Sequence, residues 1–313
     1  MDREHRDPMD VSREGRELSA AEAAGICDAL VSAWYHDAVA SMEGSASSSQ
    51  AALDAAGAAS RLPEGSLQNL EHAPVQTAGR MVDAIALLVQ SLGTLLRAEP
   101  LVMIGIWPVV RAEIEYAGRV AWLLEPLPDE GAGLRRVARA LLEQLSGLHR
   151  QRLTADKWNK TQAKKFKKAR DGLRERISEV FDDVDTPMVT PNDIDKWRVG
   201  SETMMPLGRA ATLFFDLNLI EGKALYDILS DYSHPSVISL SMQSKAATDD
   251  DATIWSYPIN AETLDFQVRL GCIALYKSAL ALLNYCGFPS AAIERWAANA
   301  PQHWFTSGSQ RNE

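Results

Sequence analysis

Leu101-Val-Met103-Ile-Gly-Ile-Trp107-Pro-Val-Val110-Arg111-Ala-Glu113-Ile114-Glu115-Tyr-Ala117-Gly-Arg119-Val-Ala121-Trp122-Leu-Leu124 is the stretch whose reading decides the fold. Met103, Trp107, Val110, Ile114, Ala117, Ala121 and Leu124 recur every three or four residues, the spacing that lines one side of an α-helix. Glu125-Pro126-Leu-Pro128 ends the pattern, and Pro108 is expected to kink its first turns. Within this apolar helix stand Arg111, Glu115 and Arg119, and Arg111, Glu115 and Trp122 fall on the border of the stripe. Glu115 and Arg119 are four apart with the acid first, the better orientation for a helical ion pair.

The same reading extends in both directions. Ser19, with Glu22 three residues later, makes a capping box for a helix running to about Met42. Gln50–Leu62 reads as an Ala-rich helix stopped by Pro63-Glu-Gly65. Gln76–Arg97 is apolar at Met81, Ile85, Leu88 and Leu92. Residues 131–184 read as one long helical stretch with a break near Leu153-Thr-Ala155. Thr190 and Pro191 are placed to open a short helix. Pro206–Leu219 and Glu221–Tyr232 form a pair, and Ser290–Asn299 a last short helix.

Glu262–Cys286 is apolar nearly all round, the signature of a helix that runs through the middle of a bundle. No run alternates as a strand would, and no internal repeat is present. The fold class expected is all-α: a multi-helix bundle with a central apolar C-terminal helix and a long basic helical extension. Residues 1–18 are expected to be a disordered tail and 19–300 a single helical domain. Within that domain 150–180 form the basic extension and 241–258 a mobile loop; 301–313 are expected to be a loose tail.

Composition narrows the classes of function. The chain has 313 residues, 46% of them hydrophobic, enough to build a sizeable core. A net charge of −10 argues against the whole surface binding nucleic acid. That total is unevenly spread, because residues 150–179 carry a balance of +7 against −17 for the remainder. Cys27, Cys272 and Cys286 form no Cys-x-x-Cys pair and no disulfide framework, as expected in a reducing cytoplasm. The charged first seventeen residues lack the apolar stretch of a signal peptide. Met81–Val110 and Leu270–Phe288 come nearest to membrane character, but charges interrupt both. Lys277 alone would disfavour insertion by about 2.5–3.5 kcal/mol. A cytoplasmic protein with no membrane association is expected.

Three segments place polar chemistry where it can work. The first is the Arg111, Glu115, Arg119 row, either a half-buried structural salt bridge or a seat for an anionic group. The second is Tyr226-Asp-Ile-Leu-Ser230-Asp-Tyr-Ser-His234-Pro235, with Tyr226, Ser230 and His234 at i, i+4 and i+8. Pro235 puts His234 in a final helical turn, where the helix dipole favours its protonated form by about 0.3–1 kcal/mol. An imidazole titrating near neutrality can transfer protons, or simply cap the helix.

The third is the basic run containing Lys157, Lys160, Lys164, Lys167 and Lys168, with Trp158 and Phe166 interleaved. On one continuous helix these lysines share a broad face. It suits a phosphate backbone such as RNA, an acidic protein partner, or solvent alone. Asp249-Asp250-Asp251 in one flexible stretch is a poor cation site, and the six histidines show no His-x-x-x-His spacing, so no metal is expected. Gly-x-Gly-x-x-Gly, Gly-x-x-x-x-Gly-Lys and Gly-x-Ser-x-Gly are all missing, and no cofactor is expected.

The Arg111–Glu125 helix together with Tyr226-x-x-Leu229-Ser230-x-x-x-His234-Pro235 resembles uncharacterised bacterial helical-bundle proteins that pair an Arg-x-x-x-Glu helix with a later Leu-Ser-x-x-x-His helix. That family is distantly similar to the HEPN superfamily. The resemblance spans roughly residues 76–288, though its specific motifs cover fewer than thirty. It implies a helical bundle, and for catalytic members a metal-independent ribonuclease using an Arg with a His four to six residues on. No arginine here has a histidine at that spacing. The catalytic residues are therefore unknown, and the resemblance supports the fold more than the reaction. The function expected is a binding or regulatory role through a groove between the Arg111 helix and the Tyr226–His234 helix. A HEPN-like ribonuclease and a structural homo-oligomer are the alternatives.

Overall fold

A computed structural model describes residues 18–40, 46–60, 70–99, 101, 105–127, 131–187, 191–218, 222–233, 245–249, 252–256 and 261–305. Within them lie ten α-helices and two small antiparallel sheets. Residues 1–17 of the tail expected at 1–18, Met103, His234, Asp250 and Asp251 lie outside the described residues.

Helix α1 (Ala20–Ala40) starts at the capping box. The Ser19 amide donates to Glu22 Oε2 at 3.1 Å, and the Glu22 amide donates to Ser19 Oγ at 3.3 Å. Helix α2 (Gln50–Ala59) is capped by Ser49, whose Oγ accepts from the Ala52 amide at 3.2 Å. Helices α3 (Ala73–Leu95) and α4 (Ile106–Leu124) follow, each with its apolar stripe buried. α4 becomes the hub of the molecule, packing on α3, α7 (Leu207–Asn218), α8 (Gly222–Ser233) and α9 (Ala261–Cys286). Its contact with α7 is backbone to backbone: any side chain at Gly118 would overlap the main chain of Ala210.

The main core lies among α1, α3, α4 and α9, where Leu30, Ile85, Val89, Leu92, Ile114 and Leu275 are sealed from solvent. Removing each such side chain from water contributes about 1.5–3 kcal/mol. α9 is buried along most of its length, as its nearly uniform apolar composition predicts. By length and composition Leu70–Leu95 and α9 are long and apolar enough to cross a membrane. The most apolar windows of the two are 39% and 67% buried inside the fold.

A second core forms where α5 (Ala132–Trp158) and α6 (Lys160–Val180) meet a three-stranded sheet, β1 (Val184–Asp185), β2 (Arg198–Val199) and β3 (Glu202–Thr203). Trp122, Leu141, Leu145, Leu173, Ile177 and Trp197 fill it. Glu202 on β3 accepts from Arg139 Nε at 2.6 Å and from Arg135 Nε, fixing the sheet to α5. Strands two residues long leave no alternation to read, so the sequence showed none. Gly200, at φ 56°, makes the tight turn between β2 and β3.

Three expectations are corrected. Residues 150–180 do not run on as one helical extension. Asn159 ends α5 in an extended conformation, its side chain accepts from the Gln162 amide at 3.0 Å, and α6 folds back along α5. The break therefore falls at an N-capping residue rather than near Leu153. The segment 241–258, expected to be a loop, carries a hairpin of β4 (Lys245–Asp249) and β5 (Ala252–Ser256) in antiparallel register, Ala247 opposite Ile254. Thr253, Ile254 and Trp255 are strand-favouring residues. In the 301–313 tail, a 3₁₀ turn over Gln302–Trp304 buries Trp304, whose Nε1 donates to Asp265 at 3.0 Å. Helix α10 (Ala291–Asn299) precedes it.

Candidate functional site at the α4/α8 seam

α4 and α8 run antiparallel, and their contacts can be read in order. Trp107 stacks on Tyr232 with ring centroids 4.8 Å apart and planes 15° from parallel. One turn further along α4, Arg111 Nε donates to Glu115 Oε1 at 2.9 Å. The Tyr226 hydroxyl donates to that same oxygen at 3.1 Å. The Arg111 guanidinium lies 5.8 Å from the centre of the Tyr226 ring, within cation–π range. Gly208 of α7 makes room for the ring, since a Cβ there would come within 3.1 Å of it. Arg111, Glu115 and Tyr226, more than a hundred positions apart in the chain, thus form one cluster.

The cluster is open. The side chains of Arg111 and Glu115 are 23% and 22% exposed, and Tyr226 is half-buried. Burial would lower the Arg111 pKa, but the bonds to Glu115 and Tyr226 outweigh it and hold the guanidinium charged. Burial and the neighbouring Glu115 raise the Tyr226 phenol, so it keeps its proton and donates. Ser230 sits half-buried one turn further along α8.

Arg119 belongs to another environment, and the ion pair expected between Glu115 and Arg119 is not the one formed. Arg119 turns inward, 2.9 Å from Glu143 Oε1 of α5, and donates to the carbonyl of Met205. Its side chain is 4% exposed and that of Glu143 is 11%. Burial lowers the Arg119 pKa and raises that of Glu143, and each partner opposes the shift of the other. Trp122 lies between Arg119 and Arg139, whose guanidinium carbons are 5.8 and 5.5 Å from its ring. This is a sealed structural pair. Of the two arginines in the row, Arg111 is the exposed one, its side chain 23% exposed against 4% for Arg119.

The basic residues stand elsewhere, on the α5/α6 hairpin. Because the chain reverses at Asn159, Lys157 lies on α5, and Lys160, Lys164, Lys167 and Lys168 lie on α6. Lys160 pairs with Asp156 at 2.9 Å and Lys167 with Asp171 at 2.7 Å. Arg170 instead turns into the hairpin, bonding Asp171 Oδ1 at 2.6 Å and His149 Nδ1 at 3.1 Å. Burial, and then the positive charge of Arg170, pushes His149 down to about 4, so it is neutral at pH 7 and accepts at Nδ1.

Sequence reading missed one buried group that it had the means to find. Glu113 stands three residues after Val110 and four before Ala117, inside the apolar stripe, and is fully buried. Neither of its carboxyl oxygens has a hydrogen-bond partner among the described residues. Beside it Cys27 and Cys272 approach to 3.9 Å between sulfurs, both buried. Among the described residues no three His, Cys, Asp or Glu side chains converge as a metal site would require. Compared with known proteins, the chain matches no protein-family description, no curated protein and no solved structure.

Proposed function

We propose that this protein has a binding or regulatory role, and that its ligand is held at the α4/α8 seam against Arg111, Glu115 and Tyr226. The single observation behind this reading is the Glu115 carboxylate oxygen. It is shared by a guanidinium and a phenol from two helices, in a cluster that stays open to solvent. Groups held this way present fixed charge and hydrogen-bonding geometry, so a ligand does not have to order them on binding. The planar fork of Arg111 suits an anionic group such as a carboxylate or phosphate. Trp107 and Tyr232, stacked one step along the seam, supply an apolar flank.

A thermal-shift screen of small anionic compounds, followed by calorimetry of any hit, tests the reading. Arg111→Ala is expected to abolish binding, and Tyr226→Phe, which removes one donor without changing shape, to weaken it. His234→Ala probes the residue that follows α8 in the chain. Compounds that bind equally well to wild type and to Arg111→Ala would remove the seam from consideration.

A further inference from the structure

The α5/α6 hairpin has an outer face that the seam does not use. We propose that this face, from Trp158 at the turn along the lysines of α6, is a docking surface for single-stranded nucleic acid. Its inner face is spent on the protein: Ala163, Arg170, Leu173 and Ile177 are buried against α5 and the second core. The outer face carries Lys164, Lys165, Lys167 and Lys168, all exposed, with Lys157 and Lys160 near the turn. Lys157, Lys164, Lys165 and Lys168 have no ion pair among the described residues. Trp158, immediately before the reversal, is 70% exposed, the most exposed large hydrophobic side chain among the described residues.

Charge and shape decide between partners. Residues 150–179 of the hairpin carry a net balance of +7 in a chain whose remainder carries −17, so a polyanion is attracted here and repelled elsewhere. A lipid surface would need an apolar helix face to insert, and α6 has turned its apolar face inward. A protein interface needs an apolar, lysine-poor centre, whereas the outer face is mostly lysine with one aromatic at its end. Unpaired lysines at successive turns, about 6 Å apart along the axis, together with a flat exposed indole, are what a phosphodiester backbone with stackable bases uses. The same chemistry is offered by RNA and by single-stranded DNA.

Fluorescence anisotropy with labelled oligouridine and oligodeoxythymidine, in about 50–200 mM salt, tests this on the full chain. Four unpaired lysines predict a log–log salt slope of about −3, because each phosphate neutralised on a single strand contributes about −0.7. Lys164→Ala with Lys168→Ala is expected to weaken binding about tenfold or more and to flatten the slope by about 1.4. Trp158→Ala is expected to weaken it roughly tenfold, with Trp158→Phe restoring most of the loss. Binding of both oligomers supports a backbone-and-base reading, and binding of RNA alone supports it with added 2′-hydroxyl contacts. All the altered side chains are exposed, so unchanged melting temperatures are expected for every variant.

Three results would overturn the proposal. One is no oligomer binding at low salt, or binding that none of the variants changes. Another is anionic vesicles binding as tightly as the oligomers. The third is salt-sensitive self-association by light scattering, relieved by the lysine variants, without oligomer binding; that would give the face to a second copy of the chain.

Discussion

Gly271 of α9 lies directly against the carboxyl of Glu113 on α4, so closely that a methyl group at 271 would overlap Glu113 Oε2. The glycine is thus required by a neighbour's side chain, not by its own backbone. Gly271→Ala should destabilise the protein by about 1–3 kcal/mol through overpacking. If the contact is the cause, Glu113→Ala in the same chain should recover much of that loss, giving a coupling of about 0.5–3 kcal/mol. Urea denaturation of the two single variants and the double variant measures it. Strictly additive losses would place the effect of residue 271 elsewhere.

The same carboxyl predicts an unusual pH dependence. Burial raises the Glu113 pKa well above its ordinary value of 4.5, with no basic partner among the described residues to offset it, so the native state keeps a proton that the unfolded state has lost. Stability from this group is present below about pH 4.5 and falls as pH rises toward its native pKa. His149 acts in the opposite sense. Its native value near 4 lies below the ordinary 6.5, so the unfolded state takes a proton that the native state refuses. Stability from His149 therefore rises with pH between about 4 and 6.5.

Each group contributes at most about 1.4 kcal/mol per pH unit, and the two slopes oppose each other between about pH 4.5 and 6.5. Glu113→Gln should make stability rise more steeply with pH across this window than in wild type. His149→Asn, whose side-chain oxygen reaches the Nδ1 position, should make it rise less or fall. Other carboxylates contribute equally to all three proteins, so the differences between urea midpoints isolate the two groups. Parallel curves for wild type and Glu113→Gln would mean that Glu113 is ionised in the native state.

Why some of this was legible and some was not follows from the residues. The period of Val110, Ile114 and Ala117 comes from local helix geometry, so α4 and its buried side could be read directly. The ion pair of the row could not: Arg111–Glu115 and Glu115–Arg119 are both four apart, and the choice between them is made by Glu143, which draws Arg119 inward from another helix. The meeting of Tyr226 with Glu115 needed only α8 to pack on α4. The position of Arg119 depended on a partner that no local pattern identifies. Trp304 is similar, since one residue in a polar tail gives no periodicity and its partner Asp265 lies 39 positions away. Asn159 was readable in principle as an N-cap, but the helical pattern on either side of it concealed the reversal.

A buried aspartate joins the two ends of the chain. Asp37 of α1 accepts from the amides of Ala292, at 3.1 and 3.0 Å, and Ile293, at 3.0 Å, capping α10 from outside its own sequence. Ser290, the residue in the cap position, makes no side-chain cap bond. Asp37→Ala should cost about 1–2 kcal/mol, as for loss of a strong N-cap, and the loss should be local to α10. Hydrogen exchange should show the Ala292 and Ile293 amides losing protection while those of α4 keep theirs. Uniform loss of protection would show that the bond supports the whole core and not one helix end.

Glu202 offers the strictest test of the second core. Its carboxylate takes Arg139 Nε on one oxygen and Arg135 Nε on the other, and the side chains of Glu202 and Arg139 are 6% and 5% exposed. Removing the acid strands a buried guanidinium, and breaking a buried pair from one side typically costs about 3–5 kcal/mol. Arg139 keeps Glu125 at 3.1 Å and the carbonyl of Trp122, so Glu202→Ala should fall near the low end, about 3 kcal/mol. Replacing both partners with apolar residues of similar size, Glu202→Met with Arg139→Met, should cost clearly less than Glu202→Ala, because no charge is left buried alone. The Trp122 carbonyl loses its donor in the double variant, which sets a floor of about 1 kcal/mol. Denaturant midpoints of the two variants decide it: a double variant less stable than Glu202→Ala would mean that the ion pair itself holds the sheet to α5.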